Sequence, residues 1–337
     1  MQERIPRADD AREGRLPPAR GEASEGVLAA LRGPAGGPVP DPGAVRTADP
    51  LGDDLQLALY LCYELHYRGF RGVDPAWEWD PGLLALRRAM EGRFLDELRA
   101  RTEGRADVRE ALDELLVEPV DGDGVSHFLR DEGELWQLRE YVAQRSLYHL
   151  KEADPHAWVI PRLRGRAKAA FVAVEYDEFG GGRPERVHAR LFADMMSDLW
   201  LDTRYGAYLD HAPAEMLANV TLMSLLGLHR AHRGALVGHF ATVEVTSSPG
   251  SRRLAAAMRR PGAGPAAEHF YAEHVTADAV HEQIVRRDVI GGLLADEPAL
   301  APDVAFGIAA TVHLEDRLGD RLLGAWREGV TSLRKPL

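Results

Sequence analysis

The stretch "HVTADAVHEQ" places His274, Asp278 and His281 four and then three residues apart. Those offsets bring side chains onto one face of a helix. The spacing therefore predicts two imidazoles and a carboxylate side by side. Together, neutral imidazole and ionised carboxylate suit the binding of a divalent transition metal. An ordinary reading competes with it. The chain has 13 histidines, so one such triplet can arise by chance, and a helical His is more often paired in the core or solvated than a ligand.

Other residues widen the set. Glu152 follows "QRSLYHLK", Glu178 closes "FVAVEYDE", His188 lies in "RPERVHARLF", and Glu244 lies in "VGHFATVEVTSS". With the first triplet they make four carboxylates and three imidazoles. One zinc takes about four ligands and would not need so many. The set suits a pair of oxygen-loving, imidazole-tolerant metals such as iron or manganese, held by inward-facing helices as in di-metal carboxylate bundles. Between Glu178 and His188 stand Gly180, Gly181, Gly182 and Arg183. Such a run can cradle an anion ahead of a helix, but no strand clearly precedes it and no Gly-Lys-Ser/Thr follows. The preferred reading is a helix break that returns Glu178 and His188 to one centre. Glu185 and His188 also form a Glu-x-x-His pair, so Glu185 competes with Glu178 for the second carboxylate.

The elements that must position these residues read as helices. "PGLLALRRAMEGRFLDELRARTEG" opens on Pro and closes on Gly, as helices often do. "GELWQLREYVAQRSLYHLKEAD" is a long helix stopped by Pro155, and helical periodicity runs on from there to the end of the chain. No run alternates with period two over a useful length; "AFVAV" is the one ambiguous stretch. The expectation is an all-α fold of roughly ten helices around one core. Residues 1–48, rich in Pro, Gly, Ala, Arg and Glu, are expected to form a mostly disordered tail in which "EGVLAALRG" could be a short helix. Residues 49–133 are expected to form a helical extension, and residues 134–337 the domain that carries the chemistry.

Composition excludes several function classes. Lys and Arg total 41 against 53 Asp and Glu, a net charge of −12, which argues against a nucleic-acid surface. The single cysteine, Cys62, permits neither an internal disulfide nor a thiolate-rich metal site, and a reducing, cytoplasmic setting is the default expectation. No stretch approaches the roughly 20 apolar residues of a spanning helix, so no membrane role is expected.

The order of these motifs carries a resemblance. "LYHLKEADPHAWVIPRLRGRAKAAFVAVEYDEFGGGRPERVHARLFADMM", followed by "HVTADAVHEQ", is similar to the iron-containing redox enzymes of the haem-oxygenase-like di-iron oxidase and oxygenase superfamily. The likeness spans roughly residues 134–319. It implies a haem-oxygenase-like helical bundle, a non-haem centre of two Fe, O2 as co-substrate, and often a homodimer. It leaves room for an external electron donor. Carried over by position, it implies Glu152, Glu178, His188, Glu244, His274, Asp278 and His281 as the metal ligands. The implied substrate is a small molecule bearing an amine or a carboxylate, oxidised by N-oxygenation, desaturation or C–C cleavage. Arg166 and Lys168 could hold a substrate carboxylate but read more simply as surface charges. Two other readings stay open. A haem-binding or haem-degrading protein on the same scaffold would use His149 or His156 near Glu152. A catalytically silent helical interaction module would bind no metal.

Overall fold

The computed structural model describes residues 14–103, 107–117, 122–259 and 263–337; the side chains of residues 276–279 also lie outside what it describes. The N-terminal part contains α1 (Glu22–Leu31), α2 (Asp53–Glu64), α3 (Pro81–Arg101), α4 (Val108–Leu115) and α5 (Val125–Asp131). The remainder contains α6 (Leu135–His149), a short α7 (Asp154–Ala157), α8 (Gly165–Glu178), α9 (His188–Asp198), α10 (Ala214–Leu228), α11 (Arg233–Met258), α12 (Pro265–Ile284), α13 (Gly291–Asp296) and α14 (Ala301–Arg327). The protein is all-α, with no strand among the described residues. No described helix is long and apolar enough to cross a membrane.

Local signals set several of these boundaries. Asp80 caps α3 by accepting from the Leu83 amide at 2.9 Å, with Pro81 at the first helical position. Gln137 Oε1 accepts from the Glu134 amide at 2.6 Å at the start of α6. α6 ends at His149, earlier than Pro155 alone suggests, so Glu152 sits in the turn beyond it rather than on a helix. α11 does the opposite. It passes through Pro249 to Met258, although proline gives no N–H to the carbonyl four residues back. Its packing explains the persistence: α11 is buried along most of its length and lies against both α12 and α14.

The expected tail over residues 1–48 needs correction from residue 14 onward. α1 packs on α2 with Val27, Leu28 and Leu31 fully buried. Asp54 on α2 caps α1, its carboxylate accepting from the amides of Ala23 (2.9 Å) and Ser24 (2.8 Å) and from Ser24 Oγ (2.6 Å). Trp77 Nε1 donates to the Gly33 carbonyl at 3.0 Å. The stretch has few apolar residues, but they fall on one face and find a partner helix already anchored in the core. Residues 1–13 lie outside the described residues.

α2 joins the extension to the rest. It packs along α10, and Gln56 on α2 accepts from Thr221 Oγ1 on α10 at 2.5 Å. Glu64, the last residue of α2, accepts from Lys151 Nζ at 3.0 Å and from Tyr205 Oη at 2.7 Å. Arg68, just past α2, donates through Nη2 to the Leu150 carbonyl at 2.7 Å. The turn between α6 and α7, which carries Glu152, is thus held from the N-terminal side of the chain. Ala153 in that turn has φ 74°, a left-handed conformation that a non-glycine residue rarely adopts.

Candidate metal centre

Four segments deliver the candidate ligands to one buried place. The turn after α6 supplies Glu152, the α8–α9 corner supplies Glu178 and His188, and the middle of α11 supplies Glu244. α12 supplies His274 and His281, which the seven-residue offset puts on one helical face, about 10 Å apart along the axis. The corner is made by glycine. Gly180 has φ 79°, and a Cβ there would come within 2.6 Å of the Val187 amide nitrogen. The chain doubles back on itself at that point, so the last residue of α8 and the first of α9 become neighbours. His188 Nδ1 lies 2.7 Å from Glu178 Oε2.

The residues form two groups that share one member. Glu152, Glu178, His188 and His274 each offer an atom within 4.8 Å of the others, and so do Glu178, Glu244 and His281. All six side chains are buried. Asp278 belongs to α12, but its side chain lies outside the described residues. Glu185 is exposed and belongs to neither group.

Orphaned atoms show what these groups fit. Buried Glu152 Oε2 and His274 Nε2 have no hydrogen-bond partner. Buried polar atoms are seldom left so. His274 Nδ1 lies 2.7 Å from the Phe270 carbonyl, which fixes the N–H there and leaves Nε2 as a free lone pair. His281 has Nδ1 3.1 Å from Glu244 Oε2 and 3.7 Å from Glu178 Oε1, while Nε2 lies 3.2 Å from Asp177 Oδ2. With Nε2–H donating to Asp177, Nδ1 presents a lone pair toward two carboxylates, an arrangement that a cation between them satisfies. Carboxylate oxygen and imidazole nitrogen are the donors that iron and manganese accept.

Neighbours tune the donors. His149 Nδ1 lies 2.8 Å from Glu152 Oε1, and the His149 ring stacks on Phe192 at 4.7 Å. Burial works to raise the Glu152 carboxyl, but His149, His274 and His188 around it hold it down at about 2. Burial pushes His149 the other way, toward neutrality. Glu175 was not among the candidates from sequence. It stands one turn before Glu178 on α8, buried, with neither carboxylate oxygen hydrogen-bonded. Burial, then Glu178 and Glu244, push its carboxyl up to about 9. Its three-residue offset from Glu178 within an apolar run was the available signal. Asp177 was also missed, since its partner lies 104 residues away.

A cavity of about 490 Å³ opens onto the first group, with Tyr148, Glu152, Glu178, Glu244, Phe270 and His274 in its wall. Of the two histidines weighed as haem ligands, His149 is engaged by Glu152, while His156 Nε2 is buried without a partner, its ring 5.2 Å from that of His239. Arg166, as expected for a surface charge, pairs with Asp288 at the exterior.

The sequence model of a family described as iron-containing redox enzymes matches residues 139–316, just over half of the chain. The chain belongs to that family. The match begins in α6 and ends in α14, so every segment that delivers a candidate ligand falls within this iron-containing redox enzyme region, and α1–α5 fall outside it. No curated protein matches the chain.

Proposed function

We propose that this iron-containing redox enzyme is a non-haem di-iron, O2-dependent oxidase or oxygenase acting on a small metabolite that bears an amine or a carboxylate. The observation that carries the reading is the pair of buried ligand groups joined by Glu178. A carboxylate common to both groups is the usual bridge between two metals a few ångströms apart. On this reading Glu152, His188 and His274 complete the first site, Glu244 and His281 belong to the second, and the family resemblance adds Asp278 there. A ferrous pair held by these residues would supply electrons for the reduction of O2. The chain's own residues do the rest. His149 fixes the orientation of Glu152, the Phe270 carbonyl selects the His274 tautomer, and Asp177 orients His281. Phe192 and Phe270 pack against the His149 ring beside the first group. The cavity brings the substrate against the same carboxylates.

The test is anaerobic titration of the metal-free chain with Fe(II), followed by Mössbauer spectroscopy and O2 uptake. The expected result is up to two irons per chain, with oxygen consumed only by the loaded protein. Uptake of haem with a Soret band and no non-haem iron would establish the haem-binding reading instead. Binding of neither would leave an interaction module.

A further inference from the structure

The wall of the cavity formed by α6, α12 and α14 holds charges that the metal centre does not use. Arg145 is clamped to Glu315 by two hydrogen bonds, Nη1 to Oε1 at 2.8 Å and Nη2 to Oε2 at 2.5 Å. Both side chains line the cavity, together with Tyr141 and Tyr271. Arg145 Nε and Tyr271 Oη are buried without hydrogen-bond partners. The wall adjoins the centre. Tyr271 stands one turn before His274 on α12, and Arg145 stands one turn before His149, whose imidazole holds Glu152. Burial disfavours either charge, yet Glu315 raises the Arg145 guanidinium and Arg145 lowers the Glu315 carboxyl.

We propose that this wall recognises a zwitterionic substrate of amino-acid size, with Arg145 and Tyr271 taking its carboxylate and Glu315 taking its ammonium group. The proposal rests on the di-iron reading for its chemistry, but its charges stand apart from the metal. An anionic substrate that engaged Arg145 would take it from the half-buried Glu315, and a cationic one that engaged Glu315 would take it from Arg145, so each leaves one charge of the pair without its counter-charge. A neutral substrate without an acceptor would leave Tyr271 Oη and Arg145 Nε unpaired, and one with an acceptor would form no ion pair with Arg145 or Glu315. A zwitterion exchanges one internal ion pair for two external ones with no change in net charge, and it provides acceptors for both orphaned donors. A cavity of about 490 Å³ is within the range that small-molecule sites occupy.

Isothermal titration calorimetry on the full-length chain, with and without a chelator, provides the test. The probes are L-leucine, L-phenylalanine and L-glutamine, each with the acid that lacks its amine and the amine that lacks its carboxylate. At least one amino acid is expected to bind about tenfold more tightly than both of its single-charge counterparts. Tyr271→Phe, which removes a hydroxyl that has no partner to strand, should weaken that binding about fivefold. The double variant Arg145→Met, Glu315→Met removes both charges together and should abolish the preference, with circular dichroism checking that it folds. Equal binding of a single-charge counterpart, or no binding of any of the three amino acids, would overturn the proposal. Iron content, measured on the same variants, should be unchanged. A chain that binds an amino acid but takes up no iron overturns the di-iron reading and leaves this site standing, and the reverse outcome removes this proposal alone.

Discussion

Glu175 gives the sharpest physical test of the centre, because a neutral carboxylic acid beside three other buried carboxylates has a calculable cost. Its carboxyl is pushed up from 4.5 to about 9, first by burial and then by Glu178 and Glu244. The folded protein therefore keeps a proton that the unfolded chain releases. Stability from the neutral acid is fully present below pH 4.5 and is lost as pH rises toward 9. At pH 7 the gap from 4.5 is about 2.5 units, which at about 1.4 kcal/mol per unit makes about 3 kcal/mol. Any folded value above about 8 gives nearly the same figure at pH 7. Glu175→Gln mimics the protonated side chain and never ionises in either state. The metal-free variant is expected to be about 3 kcal/mol more stable than the parent at pH 7, and about equal to it near pH 4. Urea unfolding of both proteins between pH 4 and 8, in the presence of chelator, reads the difference. Parallel curves across that range would refute the reasoning, because they would mean that Glu175 ionises alike in both states. Bound Fe(II) should shrink the gap, since a nearby cation favours the ionised acid.

Three further outcomes are expected. Glu178→Ala should bring bound iron close to zero, because Glu178 belongs to both ligand groups, whereas Glu185→Ala at the exposed position should leave iron near the parent level by elemental analysis after anaerobic loading. Glu64→Gln should cost about 3–5 kcal/mol in urea unfolding by stranding the buried Lys151 ammonium, and Lys151→Met in the same chain should recover most of that loss. Gly307→Ala should destabilise by about 1–3 kcal/mol or more, since its Cβ would meet the Ala235 carbonyl oxygen at 1.9 Å where α14 crosses α11. Gly324→Ala, on the exposed side of the same helix with open space around it, should instead stabilise slightly by thermal unfolding.

The fold class was legible from local pattern, whereas the candidate ligands, spread over four segments, were gathered through the likeness to a known family. His274 and His281 share a face through helical spacing, and the glycines after Glu178 announce a corner before the structure draws it. What was not legible depends on distant contacts. α1 carries too little apolar surface to predict its own order, and only α2 explains it. Arg145 and Glu315 are 170 residues apart, and Lys151 and Glu64 are 87 apart, so neither pairing leaves a trace in local spacing. The end of α6 was misplaced because Pro155 is a strong stop signal, while the backbone had already turned at His149. Glu175 was overlooked although it repeats the helical offset from Glu178. A buried acid with no partner is the opposite of what a sequence reader expects beside a carboxylate cluster.

The grip of α2 and Arg68 on the turn around Glu152 bears on how this protein can be divided. The family match begins within α6, which makes it the obvious place to cut out a smaller unit. Such a fragment would keep Lys151 in the interior and discard Glu64, its only charged hydrogen-bond partner among the described residues. It would also release the Leu150 carbonyl from Arg68 and uncover the face of α10 on which α2 lies. The part of the chain that looks accessory is thus the outer half of a candidate ligand's mounting. Truncation, domain grafting or transfer of the family-matched segment to another host has to carry α2 and Arg68 along, or supply another anion for that lysine.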